Sequence, residues 1–411
     1  MLHPLRRRDF ALLWGGMTIS LFGDGIYLVA IAWLVLRISN SPTALGVVGV
    51  AWTVPQVITL LWGGVASDRF DRRRVMIGAD IARGIPIGII GLLSISNSIE
   101  LWQVFALVAV YGAAEGFFMP AFSAMVPDVV PQDELVGANA LDQFVRPLTL
   151  RFAGPAIGGF IIAWVGIGAA FLIDAVTFFI SAVAVASIGT RRTVEDRSDD
   201  TSAWKDIREG LSYVRRHAWL WVTLLATAIG LLAFYGPFQV LVPFLIKNRL
   251  DGSAQQLGLV LAVGGVGAIV AALIVGERSL PRRNITFIYV SWALGAFAIA
   301  GYAISTRLWH ATLVTFALEF FLTAGLIVWS TLLQVRVPSR LLGRVSSVDW
   351  LVSSSLIPVS YALTGPLADS VGLRATFVIA AVVGGLATAA ALLFPRVHDV
   401  ENQDTSQPIV A

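Results

Sequence analysis

Cysteine is absent from all 411 residues, lysine is confined to Lys205 and Lys247, and histidine occurs only four times. Without thiols there can be no disulfide-stapled secreted framework. Four histidines with no HExxH pattern offer no metal-site spacing. Charge is equally scarce, at 13% of residues, about half the ~25% of an ordinary soluble domain. A water-soluble enzyme of this length would need far more polar surface. There is no GxxxxGK[ST] phosphate loop and no convincing nucleophile–His–Asp arrangement. No enzyme activity and no cofactor is therefore expected.

What the chain does have is apolar length: 57% of its residues are hydrophobic. Twelve segments are long enough to cross a bilayer as helices of ~20 residues. They are Phe10–Leu36, Thr43–Ala66, Val75–Ser96, Leu101–Val126, Val136–Trp164, Ile167–Ile188, Ala218–Ile246, Ala254–Gly276, Ile285–Ser305, Trp309–Gln334, Val345–Ala368 and Ala375–Phe394. None alternates polar and apolar residues as a barrel strand would. The N-terminus, MLHPLRRRDF before a long apolar run, lacks the cleavage pattern of a removable signal and reads as the start of the first span.

Basic residues are distributed unevenly between the alternate loops. The side that holds the N-terminus carries 21 Lys and Arg, the other side five, and Arg83, Arg146 and Arg151 lie within spans. This bias predicts that both termini are cytoplasmic, as an even number of spans allows. It also accounts for the net charge of +3 without a nucleic-acid partner.

The longest polar stretch, Thr190 to His217, divides the spans six and six. The domains expected are a first bundle over 1–189, a cytoplasmic linker over 190–217, a second bundle over 218–394 and a cytoplasmic tail over 395–411. In the linker, Trp204, Ile207, Leu211 and Val214 recur at helical spacing and predict an amphipathic helix. The halves also repeat one another. VPQDELVGANALDQF before AGPAIGG corresponds to VPSRLLGRVSSVDWL before TGPLADS, with Gly154-Pro155 and Gly365-Pro366 in equivalent places. Paired bundles of this kind are the usual construction of secondary transporters.

Between the second and third spans stands Gly64-Val65-Ala66-Ser67-Asp68-Arg69-Phe70-Asp71-Arg72-Arg73. This stretch resembles the signature loop of the major facilitator superfamily at Gly64, Asp68, Arg69, Arg72 and Arg73, and departs from it at Ala66, Ser67 and Asp71. In the fifth span, Gly154-Pro155-Ala156-Ile157-Gly158-Gly159 resembles the antiporter motif of that superfamily's drug exporters, although Leu150 stands where an upstream Gly is usual. FGDGIYLVAIAWLVL, MVPDVVPQDELVGANAL and FLIDAVTFFISA extend the likeness to the drug and siderophore exporter branch, which includes macrolide efflux proteins and the enterobactin exporter. The resemblance implies an all-α membrane protein of twelve helices in two pseudo-symmetric six-helix bundles. It implies that Asp68 and the loop arginines gate the cytoplasmic side, with the start of the eleventh span, bearing Arg344 and Asp349, as partner. It further implies that the Gly154–Gly159 motif is a close-packed, kinked interface limiting leakage.

Chemistry within the bilayer falls to the few ionisable groups there, each of which costs about 2.5–3.5 kcal/mol at a helix centre on insertion scales. They are Asp24, Glu115, Arg146, Arg151, Asp174 and Glu319. The family cavity is lined by spans 1, 4, 7 and 10, which makes Asp24, Glu115 and Glu319 the proton-coupling candidates. Structural readings stand beside these: Asp24, between two glycines, could bond to backbone, and Glu115 could form an ion pair with Arg146 or Arg151. Asp174 is expected to be structural. Tyr27, Tyr111, Phe234, Tyr235 and Phe320 are candidates for contact with an amphipathic substrate.

The expected protein is thus a monomeric exporter in a bacterial cytoplasmic membrane, exchanging a drug-like compound or siderophore for protons. A proton-coupled nutrient importer and a transport-inactive sensor or assembly partner are the alternatives.

Overall fold

The computed structural model describes residues 3–131, 134–189, 203–277 and 280–401. The expected linker residues 190–202 and tail residues 402–411 lie outside the described residues. Among the described residues, twelve helical spans are long and apolar enough to cross a membrane. With no strand among them, the class is the expected all-α membrane fold.

Cα packing divides the chain into two units, Met1–Asp196 with Pro243–Gly265, and Arg197–Val242 with Val266–Ala411. Unit 1 is built from α1 (Arg8–Ile38), α2 (Pro42–Arg69), α3 (Arg72–Ile95), α4 (Leu101–Val129), α5 (Leu135–Arg146), α6 (Gly154–Trp164) and α7 (Ile167–Ala186). Short turns join them, each with local chemistry that ends one helix and starts the next. Asn40 takes a left-handed φ of 50°, after which the Ser41 hydroxyl accepts from Ala44 N and Pro42 opens α2. Asp71 caps α3 by accepting from Arg73 N at 3.0 Å, and Glu100 and Gln103 form a capping box on α4.

Unit 2 contains α8 (Ala203–Arg216), α9 (Ala218–Gly236) and α12 (Asn284–Ala298), followed by the short α13 (Ala300–Ala303). It is completed by α14 (Leu308–Arg336), α15 (Ser339–Ser355), α16 (Ile357–Val371) and α17 (Leu373–Ala391). Between them in the chain, α10 (Val242–Asn248) and the first half of α11 (Ala254–Gly276) pack with unit 1. Glycines in the first half of α11 seat on unit 1 backbone. A Cβ at Gly265 would stand 2.7 Å from the Arg151 carbonyl carbon, and Gly258 lies against the Pro155 carbonyl.

Two spans contain π-helical segments. Pro147–Ala153, joining α5 to α6, and Pro237–Leu241, joining α9 to α10, are π-helical. Each begins with a proline, which lacks an N–H to continue the regular ladder. The repeat seen in the sequence also reappears in the backbone. Gly166 (φ 110°) precedes α7 and Gly372 (φ 87°) precedes α17, so each half turns through a left-handed glycine before its last span.

The amphipathic helix expected in the linker forms as α8. Of its predicted stripe, Val214 is buried in the unit 2 core beside Tyr213, Leu211 is 43% exposed, and the Trp204 and Ile207 side chains lie outside the described residues. After α17, a 3-10 turn over Pro395–Val400 brings Val397 and Val400 into the same core. Buried Arg336 donates to the Val400 carbonyl at 2.9 Å, and Glu401 accepts from Thr286 N in the first turn of α12 at 2.8 Å.

Candidate functional site

The polar interior of unit 1 is a cluster assembled from five helices. On α3, Asp80 and Arg83 are three residues apart and bonded at 2.5 Å, with side chains only 0% and 3% exposed. The guanidinium lies over the rings of Phe118 and Phe178, 4.0 and 4.5 Å from their centroids. It is within electrostatic reach of Asp24 on α1, Glu115 on α4 and Asp174 on α7.

Two of the further acids accept from a neutral side chain. The Tyr111 hydroxyl donates to Asp24 Oδ1 at 2.8 Å, and Trp52 Nε1 donates to Glu115 Oε2 at 2.7 Å. Thr177 donates to the Asp174 main-chain carbonyl at 2.6 Å. Asp24 and Glu115 keep partial exposure, whereas Asp80 and Asp174 are fully buried and each retains one carboxylate oxygen without a hydrogen-bond partner among the described residues. Gly23 makes room for this: a Cβ there would collide with the Asp174 carboxylate and the Thr177 hydroxyl.

The structure therefore brings together Asp24, Glu115 and Asp174, along with Tyr27 and Tyr111, whose rings pack 5.1 Å apart. Asp24 bonds a side chain rather than backbone. Glu115 is held by Trp52, and Arg146 pairs instead with Asp142, one turn earlier, at 2.8 Å; Arg151 is exposed in the π-helical segment. Glu319 belongs to unit 2, where it is 7% exposed and acts electrostatically on Tyr302. Phe234, Tyr235 and Phe320 are also in unit 2 and partly exposed, Phe234 stacking on Phe238 at 5.1 Å. Tyr27 and Tyr111 are 2% and 1% exposed.

Asp80 and Arg83 were missed as site residues by the reading of the sequence, and so was Trp52. A signal did exist: an acid and an arginine at i and i+3 within one apolar span share a helix face and can neutralise each other there.

At the loop between α2 and α3, Arg72 is bonded to Asp128 at 2.7 Å and to the Ala124 carbonyl at 2.8 Å, both near the end of α4. Arg73 reaches the Ala186 carbonyl at the end of α7. Arg69 is exposed, a Cβ at Gly64 would meet only open space, and the Asp68 side chain lies outside the described residues. Arg344 is bonded to Glu209 of α8, and Asp349 accepts from Trp329 at 3.3 Å. Arg7 makes two hydrogen bonds to Glu134, at 2.9 and 3.0 Å, which hold that carboxyl below the usual range.

The Gly154–Gly159 motif is a backbone-to-backbone contact. A Cβ at Gly154 would lie 2.6 Å from Gly25 Cα, one at Gly158 2.9 Å from Ile26 Cα, and one at Gly159 2.9 Å from Gln255 Cα. Pro155 is buried behind them. Close approach through small residues is how membrane helices gain contact area.

Comparison with known proteins agrees with this architecture. The chain is 29% identical over 416 residues to the multidrug efflux pump Tap of Mycolicibacterium fortuitum, covering 97% of each. It is 21% identical over 399 residues to macrolide efflux protein A of Streptococcus pyogenes, covering 96% of this chain and 97% of that one. The crystal structure of the nucleoside transporter NupG matches with a TM-score of 0.71 at 10% identity, over 93% of this chain and 98% of that one, a likeness of fold alone. A family model described as transmembrane secretion effector matches residues 1–409. The chain is a transporter of the major facilitator superfamily and belongs to its transmembrane secretion effector family.

Proposed function

We propose that the protein exports an amphipathic, drug-like compound or siderophore across the bacterial cytoplasmic membrane in exchange for protons, by alternating access. It works as a monomer with both termini in the cytoplasm, the orientation the basic loops favour. Export is the direction suggested by the relatives, which are named as efflux proteins for macrolides and for multiple drugs.

The observation that carries proton coupling is the cluster of four acids about one guanidinium. Asp24, Asp80, Glu115 and Asp174 cannot all be ionised around Arg83 in a medium that water does not solvate, so the cluster holds protons as part of its ordinary chemistry. Arg83 and Asp80 neutralise each other and form the fixed wall. Asp24 and Glu115, being partly exposed, exchange protons with the space they face. A cationic or hydrogen-bonding substrate stabilises them ionised, and protonation after substrate release resets the site. Glu319 is the corresponding acid proposed for unit 2, and Phe234, Tyr235 and Phe320 supply stacking surface.

The test is retention of candidate dyes and antibiotics in cells with and without the protein, repeated with an uncoupler. Lower retention that the uncoupler abolishes is expected. Equal retention in every case would sink active export.

A further inference from the structure

Where α8 meets α9, a cleft of about 240 Å³ opens beside the C-terminal turn of unit 2. Arg215 and Arg216 reach it from the end of α8 and Arg396 from the opposite wall, all three exposed. Its apolar side is Trp221 against Phe394, ring centroids 5.4 Å apart and each 37% exposed. The span containing α9 starts at Ala218 and the last span ends at Ala391. The three arginines therefore stand within five residues of a span end, where aromatic side chains meet lipid headgroups.

Two features of the cleft suit an anion. The arginines outnumber the one acid on its lining, Asp399. The 19-residue α9 also begins on its wall, with Ala218 and Trp219 among the lining residues and no side-chain cap from His217.

We propose that this cleft is a binding site for a phosphate-headed anion, supplied by an anionic phospholipid whose acyl chains lie along Trp221 and Phe394. Arginine forks hold the phosphodiester oxygens, and Asp399 accepts from a hydroxyl of the headgroup. Basic pockets between spans at the membrane surface are the usual place for such headgroups. That the leaflet is the cytoplasmic one rests on the proposed orientation; the binding chemistry does not.

The test is native mass spectrometry of the full-length, delipidated protein titrated with phosphatidylglycerol, phosphatidylcholine or glycerol phosphate. Phosphatidylglycerol occupancy at least tenfold above phosphatidylcholine is expected. The Arg215→Gln/Arg396→Gln pair, exposed and so benign to folding, should lose at least tenfold of it. Occupancy unchanged in the arginine pair, or equal retention of phosphatidylcholine, would overturn the site. Competition by glycerol phosphate at the same concentration as the lipid would overturn the lipid as its source. Binding is read without transport, so its failure is distinct from failure of the export reading.

Discussion

Asp80 and Arg83 form a 2.5 Å ion pair inside a membrane helix, and around it three more acids from α1, α4 and α7 come within the field of the same guanidinium. Removing one partner of a buried pair strands the other, at a cost of about 3–5 kcal/mol. Arg83→Met should therefore lower the melting temperature of the detergent-solubilised protein sharply. The double variant Asp80→Asn/Arg83→Met should recover most of that loss in thermal unfolding, yet leave export uncoupled from the proton gradient.

The proposed proton exchange predicts that coupling and transport separate at Glu115. With Glu115→Gln the Trp52 N–H keeps an oxygen to donate to, so packing is preserved while the proposed proton site is lost. Reconstituted Glu115→Gln, and likewise Glu319→Gln, should still exchange labelled substrate across liposomes but fail to concentrate it when a pH gradient is applied. Full gradient-driven accumulation in both would remove the carboxylate mechanism.

The glycine contact of α1 with α6 predicts a graded packing series. Gly154→Ala places a methyl 2.6 Å from Gly25 Cα, and overpacking of this kind costs about 1–3 kcal/mol. Gly158→Ala, at 2.9 Å from Ile26 Cα, should cost similarly, while Gly15→Ala, with nothing within 4 Å, should be neutral. Thermal melts of the three variants check the order.

Arg72 and Asp128 tie α3 to α4 beside the loop that opens α3. Arg72→Asp should abolish export in the dye-retention assay, and Asp128→Arg in the same chain should restore part of it. Restoration stays partial because Arg72 also bonds the Ala124 and Ser67 carbonyls, which no exchange of charge recreates.

The tail carries a pH dependence. Burial works against the charged form of His398, but the Leu392 carbonyl and the Glu401 and Asp399 carboxylates outweigh it and hold the imidazole above its ordinary value. Such a group contributes stability that is fully present below about pH 6.5 and is lost as pH rises through the folded-state value. Wild type should lose melting temperature across that rise, and His398→Gln should flatten the slope.

Twelve spans, the six-plus-six repeat and the Gly154–Gly159 contact were legible because they rest on local apolar length and on small residues at fixed spacing. Asp24, Glu115 and Asp174 were legible as rare acids in apolar surroundings. Their centre was not: Arg83 reads as one more basic residue until α3 is packed against α4 and α7, and Trp52 reads as one of 13 tryptophans until its indole meets Glu115. The π-helical segments were invisible as well, since proline marks a break in the ladder without saying how the chain repairs it. In the tail, Val397 and Val400 are two apolar residues among polar ones, and only the docked turn reveals them as core.

That docked turn bears on the order of synthesis. The core of unit 2 includes Val397 and Val400 together with Trp219 and Leu220, from the start of α9. Ribosomal emergence of residue 400 therefore precedes completion of that core, although its first spans enter the bilayer some 180 residues earlier. Nascent unit 2 waits in the membrane with an open flank, and a chain cut at Phe394 should stay open and be a substrate for membrane proteolysis.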